Sequence, residues 1–185
     1  MGHSLRHIVE RLARSLDEQK AATRVDVLLL GPSVQGRARK HSAKLRKELL
    51  RRCPEYGTAV KGEHSELVLA AKERLGEGYD LCTYERLLAR QCDLVVIIPD
   101  SPGSFAELGL FALDDAVCPK TLVLFNEDKE RGNAPSYIRD GPRKAFEMRG
   151  AELRSVNYKD RPHVWKIVQA KIEKSRTLKM NRALA

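Results

Sequence analysis

Residues Leu94-Val95-Val96-Ile97-Ile98 form an uninterrupted apolar run that stops at Pro99-Asp100-Ser101-Pro102-Gly103. Ser104-Phe105-Ala106-Glu107-Leu108-Gly109 then opens a helical pattern. A strand with no polar alternation has no solvent face, so it belongs in a parallel sheet covered on both sides. Parallel neighbours cannot be joined by a hairpin; each crossover needs a dozen or more residues, usually a helix. The run therefore commits the chain to strands alternating with helices. It also sets the following turn, and Glu107 with it, beyond a carboxyl end, where open α/β sheets gather their ligands.

The rest of the chain fits that alternation. Leu5, Ile8, Val9, Leu12 and Leu16 recur at helical spacing, predicting an amphipathic helix over 4–21. Residues 1–22 are thus a candidate assembly element outside the sheet. Val25–Leu30 reads as the first strand, ended by Gly31-Pro32-Ser33, and a basic helix follows from Arg37 to Arg52, stopped by Cys53-Pro54. Ala59-Val60 is a short second strand. Helices are expected over Glu66–Leu75 and Asp80–Arg90, and another from Ser104 to Asp114. Thr121–Phe125 is the fourth strand and Ala151–Val156 the fifth, with helices at 142–149 and 162–174 and a basic tail at 176–185. The expected fold is a single domain spanning 1–185, a three-layer α/β, flavodoxin- or Rossmann-like arrangement. Its five-stranded, mostly parallel sheet would have the order 2-1-3-4-5. There the first and third strands are neighbours whose connections leave toward opposite faces, and the crevice between them is the switch point. Its rims would be Gly31-Pro32-Ser33 and the stretch Asp100–Glu107.

Net charge is +9, concentrated locally. Arg37–Arg52 holds eight basic residues, including Arg37, Arg39, Lys40, Lys44, Arg46, Lys47 and Arg51, against the single acid Glu48. Lys171, Lys174, Arg176, Lys179 and Arg182 form a second basic stretch. Two readings stay open for both: a surface for nucleic acid, a partner or an anionic substrate, or a solvated helix face. The four cysteines show no paired spacing and the five histidines are scattered, so neither a disulfide framework nor a metal site is expected. No apolar run is long enough to span a bilayer, and Arg6, Glu10, Arg11 and Arg14 interrupt any signal-peptide core. A cytoplasmic protein without membrane contact is expected.

Glu107 admits two roles. A carboxylate fixed in the first turn of a helix suits stabilising or attacking a cation that develops at a sugar anomeric carbon. Ser104-Phe105-Ala106-Glu107 also fits a capping box, in which the carboxylate only satisfies an amide. Asp93 opens a strand and could merely bond locally; Glu85, mid-helix, could be solvated; Asp100 could be a turn former. Gly31, Pro32 and Ser33, with Asp100, Ser101, Gly103 and Ser104, are candidate substrate contacts. Gly103 would allow close backbone approach, and Gly109 would let the helix pack near the sheet. Gly31–Gly36 is neither a Walker loop nor a G-x-G-x-x-G turn.

Asp93–Asp100 followed by Ala106-Glu107-Leu108-Gly109-Leu110-Phe111-Ala112-Leu113 resembles the core of the nucleoside 2-deoxyribosyltransferases. Tyr84-Glu85-Arg86-Leu87-Leu88-Ala89, Cys92-Asp93 and Ser101–Gly109 are closer still to deoxyribosyltransferase-like effectors encoded beside retron reverse transcriptases. Ser136–Pro142 is similar to a later turn of that group. The resemblance covers about residues 25–145. It implies Glu107 as the catalytic glutamate, Asp93 as an acid in the preceding strand, Glu85 as the effector group's helix acid, and a sugar contact at Gly31-Pro32-Ser33. Two departures stand out: Ser101 occupies the place of a transferase aspartate, and Val25–Leu30 lacks the transferases' aromatic residue. Hydrolysis of a nucleotide glycosidic bond is therefore expected over base exchange. NAD⁺ is the preferred substrate, because nicotinamide departs as a neutral molecule and needs no general acid; no cofactor is expected. The resemblance further implies antiviral defence, toxicity, and partners comprising a reverse transcriptase with its RNA and DNA, in a homo- or hetero-oligomer. The alternatives are a deoxyribosyltransferase or phosphoribohydrolase, and a non-catalytic nucleotide-sensing or nucleic-acid-binding accessory domain.

Overall fold

A computed structural model describes residues 2–34, 40–62, 73, 80–130 and 138–184. The apolar runs become strands β1 (Val25–Leu30), β2 (Gly57–Lys61), β3 (Leu94–Ile97), β4 (Thr121–Asn126) and β5 (Glu152–Val156). All four pairings are parallel and the order is β2-β1-β3-β4-β5, as the alternation required. Leu29 stands between Lys61 and Val96, and Val96 in turn beside Leu122.

Successive side chains of a strand point to opposite faces, so one apolar run supplies two cores. Val25, Val27 and Leu29 of β1, with Leu94 and Val96 of β3, face helices α2 (His41–Arg52) and α6 (Arg161–Leu184) through Leu45, Leu49, Val164, Trp165, Val168 and Ile172. Leu28, Leu30, Val95 and Ile97 face the other side, where α3 (Leu81–Gln91), α4 (Pro102–Phe111) and α5 (Lys144–Met148) contribute Ala89, Leu108, Phe111 and Phe146. The result is a three-layer α/β fold.

Several boundaries differ from the sequence expectation. The 176–185 stretch is not a tail: α6 continues to Leu184. The helix expected at 142–149 starts earlier, with a π-helical segment at Arg139–Arg143 that runs into α5. Pro142 lies inside that segment, and a proline there removes an intrahelical donor. Among the described residues the basic helix begins at His41. The helix expected at Glu66–Leu75 lies outside the described residues, apart from residue 73.

Helix α1 (Gly2–Ala22) reaches the body near its carboxyl end, where Lys20 pairs with Glu173 of α6 at 2.9 Å. Its apolar stripe is uncovered: Leu5 is 66% exposed, Val9 63% and Leu12 58%. No described helix is long and apolar enough to cross a membrane. Cys53, Cys92 and Cys118 are buried and Cys82 exposed, and all four are free thiols.

Candidate active site

The switch point is assembled from the carboxyl ends of β1, β2 and β3. β1 ends at Gly31, whose φ of 151° is a conformation that glycine adopts and other residues rarely do. A Cβ there would stand 3.1 Å from both the Cβ and the carbonyl oxygen of Ile98, so the turn hugs β3 closely. Pro32 is buried behind it, while Ser33 is exposed at the rim. From α2, the wholly buried Arg46 holds the turn in place. Its Nη1 donates to the carbonyls of Gly31 and Pro32 at 2.9 and 3.1 Å, and its Nη2 to that of Leu29 at 2.7 Å. The guanidinium thereby satisfies carbonyls that leave the sheet ladder where β1 ends. This corrects the expectation that placed Arg46 on a nucleic-acid surface: its donors are spent on the backbone of its own fold.

The β3 turn is fastened just as firmly. Ser42 Oγ, buried in the first turn of α2, donates to Asp100 Oδ2, and the Asp100 amide donates to Ser104 Oγ at 3.0 Å. Helix α4 starts at Pro102 rather than Ser104 and is capped by two serines. The Ser104 amide donates to Ser101 Oγ at 3.2 Å, and the Ser101 amide to Ser104 Oγ at 2.9 Å. This reciprocal pair replaces the Ser104/Glu107 capping box that the spacing allowed. Ser104 is buried in that role, so it lines the turn as a cap and not as an open contact. No acid lies in the first turn of α4; Glu107 sits in the second turn, relieved of capping. Pro102 at the first position fits because its missing donor would be unpaired there anyway.

Glu107 is partly buried, with Oε2 shielded from solvent, and Glu85 on α3 is also partly buried rather than solvated. The two converge on Gly62, immediately after β2. A Cβ on Gly62 would lie 3.4 Å from Glu85 Oε1 and 3.8 Å from Glu107 Oε1, against Leu30 Cδ2 at 2.7 Å. Two carboxyl oxygens from different helices thus face one small space that a side chain on residue 62 would fill. Their relative placement is secured at the far end of α4. Buried Asp114 accepts from Arg86 Nε at 2.6 Å and Arg90 Nε at 3.0 Å, tying α3 to α4. Burial raises the Asp114 pKa, but the hydrogen bonds from Arg86, Arg90 and the Ala116 amide outweigh it and hold the carboxyl below its ordinary value.

Other candidates fall elsewhere. Asp93 stands at the amino end of β3, at the opposite end of the sheet from Glu107. Its Oδ2 accepts from the Asp26 amide at 2.8 Å and pairs with Lys179 at 2.7 Å, a local structural role. The structure therefore separates Asp93 from the carboxylates with which the resemblance had grouped it. A Cβ at Gly103 or Gly109 would meet nothing within 4 Å, so Gly109 is not the close packing point expected of it, and Gly103 is exposed at the mouth of α4. Lys40, Lys44, Lys47 and Arg51 are exposed along α2, whereas Arg37 and Arg39 lie outside the described residues.

Burial pushes the Cys53 thiol up to about 12, with help from Glu55, and burial likewise pushes Cys92 and Cys118 to about 11. These thiols stay protonated at neutral pH and are poor nucleophiles. No group of three or more His, Cys, Asp or Glu suited to a metal occurs among the described residues. The chemistry available here is that of two carboxylates: one to meet a developing cation, the other to handle a proton or water. Sequence reasoning missed Gly62 and Ser42. A glycine directly after a strand that borders β1 was the available signal for the first; a lone serine on a basic helix gave none for the second.

The chain is similar to a known family and to a curated relative. The model of a family described as "STM3845 retron effector protein" matches residues 43–183. A relative from Escherichia coli, described as "Retron Ec86 putative ribosyltransferase/DNA-binding protein", is 34% identical over 68 residues, 36% of this chain. That region spans 22% of the relative's length.

Proposed function

Because the chain belongs to the STM3845 retron effector family, we propose that its carboxylate pair is the catalytic centre of an N-glycosidase effector. The observation that carries this reading is the convergence of Glu85 and Glu107 on the space before Gly62. The relative's name, which includes a ribosyltransferase, supports the same class of bond. The sequence likeness to deoxyribosyltransferase-like proteins around Glu107 points the same way.

The proposed substrate is NAD⁺ or a related nucleotide. The Glu107 side chain stabilises or attacks C1′ of the ribose as the bond to the nicotinamide nitrogen breaks. The bonding electron pair passes to the pyridinium ring, and neutral nicotinamide leaves without protonation. Water then adds at C1′, its proton passing to Glu85; where Glu107 has bonded to C1′, that bond breaks as water adds and its electron pair returns to the carboxylate, and the sugar product departs with a hydroxyl at that carbon. Gly31-Pro32-Ser33 and the Asp100–Ser101 turn would seat the sugar and phosphates at the switch point. Release of free base by the parent, with loss in Glu107→Gln and in Glu85→Gln, tests this assignment. Base release that survives both substitutions refutes it.

The effector would act inside the cell in defence against phage, as a toxin restrained by a reverse transcriptase with its RNA and DNA. Helix α1 is proposed to pair with a second copy. Leu5, Val9, Leu12 and Leu16 follow the alternating four-and-three spacing of a coiled-coil seam. Leu12→Glu should lower the mass measured in solution; an unchanged mass removes α1 from the interface.

A further inference from the structure

A groove of about 560 Å³ opens at the amino ends of β3 and β4, the end of the sheet opposite the carboxylate pair. Its walls carry six cations, Arg90, Lys120, Lys171, Lys174, Lys179 and Arg182, against two carboxylates, Asp93 and Asp115. Four of the cations are tied to the fold. Arg90 pairs with Asp114 at 3.0 Å, Lys171 with Glu152 at 3.3 Å and Lys179 with Asp93 at 2.7 Å. Lys120 donates to the carbonyls of Arg90 and Cys92 at 2.6 and 2.5 Å. Carbonyls leave the Lys120 charge uncancelled, so the groove keeps a positive field. Lys174 and Arg182 are exposed and make no ion pair among the described residues.

The shape of this charge identifies its counterpart. Lys171, Lys174, Leu178, Lys179 and Arg182 share one face of α6. Eleven residues separate Lys171 from Arg182, about 16 Å of helix. A single phosphate group cannot span that length, whereas one nucleic-acid strand presents a charge about every 3.4 Å. Among the described residues no aromatic side chain lines the groove, so they offer no platform on which bases could stack.

We propose that this groove binds the phosphate backbone of a nucleic-acid strand without reading its bases. The inference gives a location to the nucleic-acid partner proposed above and is independent of the glycosidase chemistry. The sequence had offered two basic stretches for that role, residues 37–52 and the C-terminal one; the groove is built by the second, on α6, with the feet of β3 and β4. From Asp93 to Asp100 the chain runs the length of β3, roughly 20 Å, so a bound strand leaves the switch-point crevice open.

The test is fluorescence anisotropy of the full chain with a labelled, mixed-sequence 20-nucleotide DNA strand over a range of salt concentrations. Lys174→Glu/Arg182→Glu should weaken binding at least tenfold and reduce the magnitude of the log–log salt slope by about 1.4, the value for two lost phosphate contacts on a single strand. Lys174→Gln/Arg182→Gln should give a smaller loss in the same direction, with an unchanged melting temperature. Lys44→Glu/Lys47→Glu on α2, an equal change in charge, should shift affinity less than twofold. Glu107→Gln should bind like the parent, so failure of the glycosidase reading would not register here. ATP at equal phosphate concentration should not displace the strand. Parent-like binding by the α6 variants, transfer of the loss to the α2 variant, or displacement by ATP would each overturn the proposal.

Discussion

Arg46→Met removes the guanidinium that closes the end of β1 while retaining an apolar stem of similar reach. Three carbonyls, those of Leu29, Gly31 and Pro32, lose a charged donor at 2.7, 2.9 and 3.1 Å. Each such bond contributes roughly 1.5–3 kcal/mol. Part of that loss is offset because a cation no longer has to be kept out of water. The net destabilisation should be about 3–5 kcal/mol. For a chain of this length that corresponds to a fall in Tm of roughly 6–20 °C, read by thermal unfolding monitored with circular dichroism. The proposed glycosidase activity should fall as well, since the Gly31-Pro32 turn loses its anchor. Lys in the same place should recover only part of the stability, because one ammonium cannot reproduce the fork that spans these carbonyls. A variant that melts within about 2 °C of the parent, well below the smallest shift expected, would refute the buttress. If it also lost affinity for nucleic acid, the surface role rejected above would be reinstated.

Gly62→Ala places a methyl 3.4 Å from Glu85 Oε1 and 3.8 Å from Glu107 Oε1 without removing either carboxylate. It should lower kcat/KM at least tenfold, about 1.4 kcal/mol of transition-state stabilisation, and cost about 1–3 kcal/mol of stability through the 2.7 Å contact with Leu30. Unchanged turnover would show that substrate does not enter this space. Asp114→Asn should destabilise by roughly 1–2 kcal/mol at neutral pH, a figure kept low because Arg86 and Arg90 are half exposed. The Asp114 carboxyl is held below its ordinary value, so its contribution is complete above the unfolded-state pKa and is lost as pH falls through the lower folded one. The gap in Tm between parent and variant should therefore be full at pH 7 and close in strong acid; a gap that grew on acidification would contradict the assignment.

The fold was legible because its signal is hydrophobic burial. Leu94–Ile98 and Leu122–Phe125 contain no polar residue and Val25–Leu30 only Asp26 near its start, a pattern that fits a covered parallel sheet. Strand order and switch point followed from the alternation. Helix starts were less legible: Ser101 and Ser104 both have capping chemistry three residues apart, and only the backbone shows that they cap each other, with Pro102 leading. Arg46 was unreadable for a different reason. Among eight basic residues in sixteen positions nothing in composition marks Arg46 as turning inward; its burial depends on carbonyls at the end of another element. Glu85 illustrates the reverse case. Its helix pattern suggested a solvated side chain, and only the packing of α3 on α4 through Asp114 aims it at Gly62.

The assignment of Glu107 to base release is tested by incubating the purified chain, alone and with the proposed reverse transcriptase and its RNA and DNA, with NAD⁺ and a panel of nucleosides and nucleotides. Released base is separated chromatographically, with Glu107→Gln run in parallel. Nicotinamide release by the parent is expected, with a loss of roughly a thousandfold or more in the variant, at unchanged Tm. Equal release by parent and variant, or no release from any substrate even with the partners present, would contradict the assignment.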